Sequence, residues 1–373
     1  MLEKEKVRNS SIELLKIIAI VLIIISHAVP YGNFNNYAGY IDLNNVSTNI
    51  NNLLLAIFRH LGSIGNCIFI ICSSYFLLDS SKVNKKKILR LVIDSFIISV
   101  SIFLVILIFG NYNISLTETI KSFFPITFNV NWFLTCYILF YMIHPFLNNI
   151  IEKLDKRKLL IVNIVLILLY SILNTIKADL FYYNSLIGFI VIYFIMAYMK
   201  KYLNKFSNNR KINIILCCFT FICFVTSIII INFIGLKIDI LSNQLLIMNN
   251  FTNPLIIVVS FTIFNIFKQK EFHNKAINYL SSLSLLIYLI HGNQFMVGYL
   301  KGAYFDYILA HFGYSNIMLY VLSLTLIYLL GSIFISIIYK HLIQTNLQKI
   351  IDKLYLYLKN IYLKIEKILI CLD

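Results

Sequence analysis

Glu13, Lys16 and His27 are the ionisable residues of one otherwise apolar run, 12–31. On a helix, Lys16 and His27 fall within roughly 20° of each other around the axis and about 16 Å apart along it. This spacing puts a cation at one membrane boundary and an imidazole deep in the span, on a shared face. An ionisable group inside a membrane helix is costly and marks function by default. Imidazole is the side chain best matched to proton transfer near neutral pH, and a neutral His27 within reach of a hydroxyl would act as a general base. The bland alternatives are that Glu13 and Lys16 are boundary charges and that His27 bonds a neighbouring helix near the outer interface.

A second pair with chemical potential is Lys87 and Arg90, three residues apart at the end of a basic loop. Two cations at i and i+3 share a helical face and could clamp phosphate groups, although topology alone also makes such loops basic. Small and hydroxylated residues mark three more segments: 65–77, 131–148 and 281–291. They suit close helix approach or a wet cavity wall. Trp132, the only tryptophan, reads as an interfacial anchor, and His144 and His291 read as structural. The seven cysteines lie mainly within apolar runs without metal or redox spacing, which makes them small buried hydrophobes.

The elements that must position these residues are membrane helices. With 60% hydrophobic and 13% charged residues, the chain carries about half the charge of a soluble domain. Apolar runs long enough to cross a bilayer recur throughout, and predict an all-α polytopic membrane helix bundle of about ten transmembrane helices. They lie near 12–31, 53–78, 88–109, 132–151, 159–176, 181–199, 212–234, 245–267, 277–297 and 316–339. Basic clusters alternate with nearly cation-free loops between them. Lys4, Lys6 and Arg8 precede the first run, and the loop 32–52 has no Lys or Arg. Lys82 to Arg90, Lys153 to Lys158, Lys200 to Lys211 and Lys268 to Lys275 then alternate with loops holding only Lys121, Lys177, Lys237 and Lys301. By the positive-inside rule both termini are expected in the cytoplasm, with the first run kept as a signal anchor. The net charge of +16 is therefore spent on topology and anionic headgroups, which argues against nucleic acid as a partner. Beyond Lys340, Lys349, Lys353, Lys364 and Lys367 share one face opposite Leu and Ile, the pattern of a helix on the inner leaflet or of a solubilising extension. There is no phosphate loop, carboxylate pair, internal repeat or loop long enough for a soluble domain, so any chemistry occurs within or at the face of the membrane.

Taken together, these segments resemble acyltransferase family 3 of integral membrane proteins. Glu13, Lys16 and His27 reproduce its acidic, basic and histidine spacing in the first helix. Phe69 to Leu77 is similar to the Phe-x-x-Ser-Gly-Tyr-x-Leu pattern that ends its second helix, with Ser74 at the usual Gly. Lys87 and Arg90 correspond to its Arg-x-x-Arg. The runs from Trp132 through Tyr137, Tyr141 and Pro145 to Asn148, and from Ser281 to His291, resemble two later segments. Lys16 and Lys87 stand where the family usually has arginine, keeping the charge but not the planar fork.

The resemblance implies transfer of an acyl group, most often acetyl, from cytoplasmic acyl-CoA to a hydroxyl of a cell-surface or lipid-linked glycan. It implies His27 and Glu13 as catalytic residues, with Glu13 paired to a cation near the donor entrance. Lys16, Lys87 and Arg90 would bind the donor. No metal and no permanently bound cofactor are expected. Residues 1–340 would form the acyltransferase domain of a multi-pass cell-membrane protein, and 341–373 a basic amphipathic cytoplasmic tail. The rival classes are a transporter, flippase or polymerase-like protein of polysaccharide export, and a non-catalytic scaffold. With four prolines and no repeat, the chain gives the broken midspan helices of a transporter little support.

Overall fold

The structure, a computed structural model, describes residues 9–30, 45–110, 113–176 and 184–370. Lys4, Lys6, Arg8, Lys177 and most of the loop 32–52 lie outside the described residues. No strand occurs among the described residues, and the chain is a polytopic helix bundle. Its helices are α1 (Ser10–Ala28), α2 (Ile50–Leu77), α3 (Lys85–Phe109), the short α4 (Leu116–Phe123), α5 (Trp132–Lys153) and α6 (Lys156–Ile176). There follow α7 (Ser185–Tyr202), α8 (Arg210–Gly235), α9 (Pro254–Lys268), α10 (Lys275–Ser282), α11 (Ser284–His291), α12 (Lys301–Phe312), α13 (Ile317–Ile338) and α14 (Thr345–Ile370).

Among the described residues, eight helices are long and apolar enough to cross a membrane. The other two expected segments are helical but shorter. The segment expected over 245–267 begins as turns, and its helix starts only at Pro254, because Asn253 accepts from the backbone N–H groups of Leu255 and Ile256 and Pro254 needs no N–H partner. The segment expected over 277–297 breaks at Leu283 into α10 and α11, and serines 281, 282 and 284 flank the break.

Helix starts share one device. Asn9, Asn49, Asn84, Asp155, Asn184, Asn209 and Asn274 each accept a hydrogen bond from a backbone N–H in the first turn that follows. In an apolar solvent those orphan donors have no other partner, so polar caps set the starts where hydropathy does not. Helix ends use cations. Lys200 Nζ donates to Tyr75 O at 2.9 Å and Lys201 Nζ to Ile151 O at 3.0 Å, capping α2 and α5 at the basic end.

The core forms two clusters, and α1 feeds both. Ile12, Leu15 and Ala19 pack with α2, α5, α7 and α9, while Ile20, Ile23 and Ile24 pack with α3, α11 and α13. On the outside of the bundle α8 presents Ile215, Phe219 and Ile222 to its surroundings, an apolar face that only lipid suits. α1 and α2 approach closely at Gly65. A Cβ there would stand 2.5 Å from Ala19 O and 2.8 Å from Ile23 Cγ1. A backbone oxygen cannot swing aside, so glycine sets how deeply α1 is held. Gly65→Val should cost about 1–3 kcal/mol by overpacking. The unfolding temperature of the solubilised protein is expected to fall by several degrees, whereas Gly298→Ala, with nothing within 4 Å, should leave it unchanged.

Beyond α13 the helix continues through a π-helical turn, Tyr339–Gln344, into α14. This tail is tied to α3, with Lys86 Nζ 2.6 Å from Asp352 Oδ1. Lys349 and Lys353 are exposed and Ile351 is buried. The side chains of Lys364 and Lys367 lie outside the described ones.

Candidate active site

α1 is the strut of the site, and its start is pinned by two serines. Ser10 Oγ donates to Asn278 Oδ1 at 2.8 Å, and Ser11 Oγ to Phe267 O at 2.7 Å. One turn on, Glu13 is buried; its Oε1 accepts from Lys16 Nζ at 3.0 Å and its Oε2 from Ser281 Oγ. This pair separates two spaces. Glu13 faces a wide cleft of about 1150 Å³ that also touches Asn9, Asp79 and Lys268. Lys16 lines a narrower cavity of about 220 Å³ that runs up the bundle.

All three hydroxyl-rich segments converge on that narrower cavity. Phe69 and Ser73 come from α2, Phe133 and Tyr137 from α5, and Ser284 and Tyr288 from α11. Lys87 joins Lys16 at its basic end. Lys87 Nζ donates to Tyr137 OH at 2.9 Å and lies 4.4 Å from the Tyr141 ring centroid, so two aromatic neighbours aim the cation. Arg90 does not line the cavity. Its Nε stands 3.7 Å from Asp94 Oδ2, and the same carboxylate accepts from Tyr339 OH at 2.8 Å and Gln344 Nε2 at 2.9 Å. Arg90 thus answers a buried charge on its own helix, while Lys87 faces inward. Ser284 Oγ is buried in the cavity wall with no hydrogen-bond partner. Such a hydroxyl suits a ligand carbonyl.

The cavity points towards His27. Ile23 and Tyr288 line its inner end, four and three residues before His27 and His291, or about 6 Å and 4.5 Å along the helix axes. His27 Nδ1 meets His291 Nε2 at 3.2 Å. His291 Nδ1 lies 2.6 Å from Ile287 O, and only a protonated nitrogen can bond a carbonyl. In the neutral pair, His291 Nε2 is therefore an acceptor and His27 Nδ1 the donor. The lone pair of His27 is then on Nε2, where it can take a proton. His291, expected to be structural, is the residue that assigns this tautomer.

Two cations surround the same end of α1. Arg59 Nη1 donates to Ser26 O at 3.1 Å, and the buried Lys301 Nζ to Val29 O at 2.6 Å. Both satisfy carbonyls at the helix C-terminus. Glu13 stands at the other end of α1, about 21 Å along the axis from His27, so it orders Lys16 and Ser281 and does not touch the imidazole. Trp132 stacks on Phe251 at 5.8 Å between ring centroids and packs edge-on to Phe133, so it is a packing residue within the bundle. Asn148 ties α5 to the end of α2 through Leu77 O and Ser80 O, and His144 is buried against Tyr141 O.

The family model described as acyltransferase domain matches residues 9–339. The chain belongs to acyltransferase family 3. No curated protein and no solved structure matches it. The family's match begins at Asn9, which caps α1, and ends at Tyr339, which bonds Asp94; both limits are ties that hold the bundle. As a member of this family the protein is a membrane acyltransferase.

Four residues at or around this site are not assigned to it from the sequence. His291 reads as structural, Ser284 is one of several hydroxyls in the segment 281–291, Arg59 is an ionisable residue within the apolar run 53–78 to which no role is given, and Lys301 counts only as a loop charge. His291→Leu removes the acceptor that orients His27 but leaves the imidazole in place. A positioned base contributes about 10²–10⁴-fold, so acyl-transfer turnover should fall about tenfold or more. KM for the donor should stay within about twofold, and His291→Gln, which keeps an acceptor, should recover part of the loss. An unchanged turnover in His291→Leu would reduce the pair to packing.

Proposed function

We propose that this protein moves an acyl group, most simply acetyl, from cytoplasmic acyl-CoA to a hydroxyl of a cell-surface or lipid-linked glycan, at the cell membrane. The observation that carries this reading is the cavity that begins at two lysines and ends one turn short of a histidine whose Nε2 can accept a proton. The positive-inside assignment puts the lysine end in the cytoplasm, where the donor resides, and His27 towards the outside, where the acceptor enters. Lys16 and Lys87 would bind phosphates of the donor. Its acyl arm would extend along Phe69, Phe133 and Tyr288, and the Ser284 hydroxyl would donate to the thioester carbonyl.

His27 Nε2 then removes the proton from the acceptor hydroxyl as its oxygen attacks the thioester carbon. The tetrahedral intermediate collapses with cleavage of the carbon–sulfur bond. The leaving thiolate takes its proton from the imidazolium, which restores the neutral pair. Glu13 supports this reaction from a distance by fixing Lys16.

Mass spectrometry of surface glycans from cells with and without the protein tests the reaction itself: loss of one acyl mass is expected, and identical spectra would overturn it. His27→Ala should lower turnover by at least about 100-fold with membrane abundance unchanged, and full turnover in that variant would remove the base from the mechanism. Lys87→Ala should raise KM for acyl-CoA about tenfold, the worth of one charge-assisted hydrogen bond, and more than Arg90→Ala alone. An unchanged KM for the donor would take Lys87 out of the site.

A further inference from the structure

A separate cleft of about 510 Å³ opens at the His27 end of the bundle, between the end of α6 and the segment that joins α8 to α9. Five of its lining side chains are carboxamides: Asn174, Asn243, Gln244, Asn249 and Asn250. Leu241, Leu246 and Ile247 lie among them, and no charged side chain is in the lining among the described residues. A carboxamide offers two N–H donors and an acceptor side by side, the complement of neighbouring hydroxyls. The aliphatic residues supply apolar contact of the kind a sugar's C–H faces make. An ionic ligand finds no counter-charge here.

Turn chemistry accounts for only part of this composition. Asn250 Oδ1 accepts from the Thr252 N–H at 3.0 Å, and Asn253, outside the cleft, caps α9. Gln244 is not a turn-forming residue, and Asn174 belongs to a membrane helix, where an amide is costly. The cleft is also connected to the catalytic end of α1. Asn249 Oδ1 accepts from Ser63 Oγ at 2.8 Å. The adjacent Gly62 lies against Ser26, where a Cβ would stand 2.5 Å from the serine oxygen. Only the width of α2, about 10 Å, separates the cleft from the residue before His27. A chain of several sugars crosses that distance, and a single sugar does not.

We propose that this cleft binds a neutral, hydroxyl-rich saccharide, as a subsite that holds the acceptor glycan beside the unit acylated at His27. The proposal rests on the function proposed above for its catalytic meaning, but binding can be measured without turnover. Trp132, the only tryptophan, stacks on Phe251, which follows Asn250 in the chain, so its emission reports on the cleft. The full chain is solubilised in a detergent without a sugar headgroup. It is titrated with oligosaccharides released from the surface glycans of the cells that make it, divided into neutral and acidic fractions. The neutral fraction should give a saturable change in Trp132 emission in both the wild type and His27→Ala. In Asn243→Leu/Gln244→Leu the midpoint should shift at least tenfold, and KM for the glycan should rise without moving that for acyl-CoA. Asn243→Leu alone, at an exposed position, guards against a folding defect in the pair and should give a smaller shift in the same direction.

No saturable change, a response to the acidic fraction alone, or wild-type binding by the double variant would each overturn the subsite. Saturable neutral binding without acyl transfer would instead overturn the proposed reaction and leave the subsite standing.

Discussion

The contact between His27 and His291 is the constraint on which the site depends. It joins side chains 264 residues apart, and it forms only if α1 and α11 meet with both imidazoles at one depth. Gly65 lets α2 hold α1 tightly from one side, while Ser10, Ser11 and Glu13 pin its start to α9 and α10. Arg59 and Lys301 hold its far end through carbonyls. The first helix is thus fixed at both ends and along its length, as a hydrogen bond with a defined direction requires. In a low-dielectric interior that direction matters more than it would in water, because neither ring can exchange its partner for solvent.

Hydropathy made the bundle legible, and the polar residues within it made half of the site legible. Glu13, Lys16 and His27 stood out because ionisable groups in an apolar run have no cheap explanation. Lys87 was equally visible. Arg90 looked like its twin because i and i+3 share a face, yet Asp94 lies one turn further along and draws the guanidinium to itself. The charge of a loop shows in sequence; which buried carboxylate it answers depends on tertiary packing. His291 read as structural for a related reason: its meaning lies in a partner on another helix, and one sequence carries no record of such pairings. The late start of α9 and the break at Leu283 were missed because a hydropathy window averages over Asn and Ser, whose short side chains decide where helices begin. The repeated asparagine caps were present in the sequence and would have corrected the first of these.

Charge is divided along the bundle. Its basic end carries many lysines, some of which cap helices, some of which aim into cavities, and one of which secures the tail through Asp352. The His27 end carries few cations, and two of them are consumed by carbonyls of α1. The same residue type therefore serves topology, capping and ligand approach, and only its neighbours tell these uses apart.

The long separation between the two histidines also orders events during biosynthesis. The chain enters the membrane from its N-terminus, so His27 is in place while most of the helices that surround it are still unmade. Until α11 arrives, the imidazole has no partner to select its tautomer and the cavity lacks the wall that Ser284 and Tyr288 supply. A half-synthesised chain therefore lacks both the oriented imidazole and the completed cavity wall. The membrane acquires a working enzyme only when the end of the chain closes on its beginning.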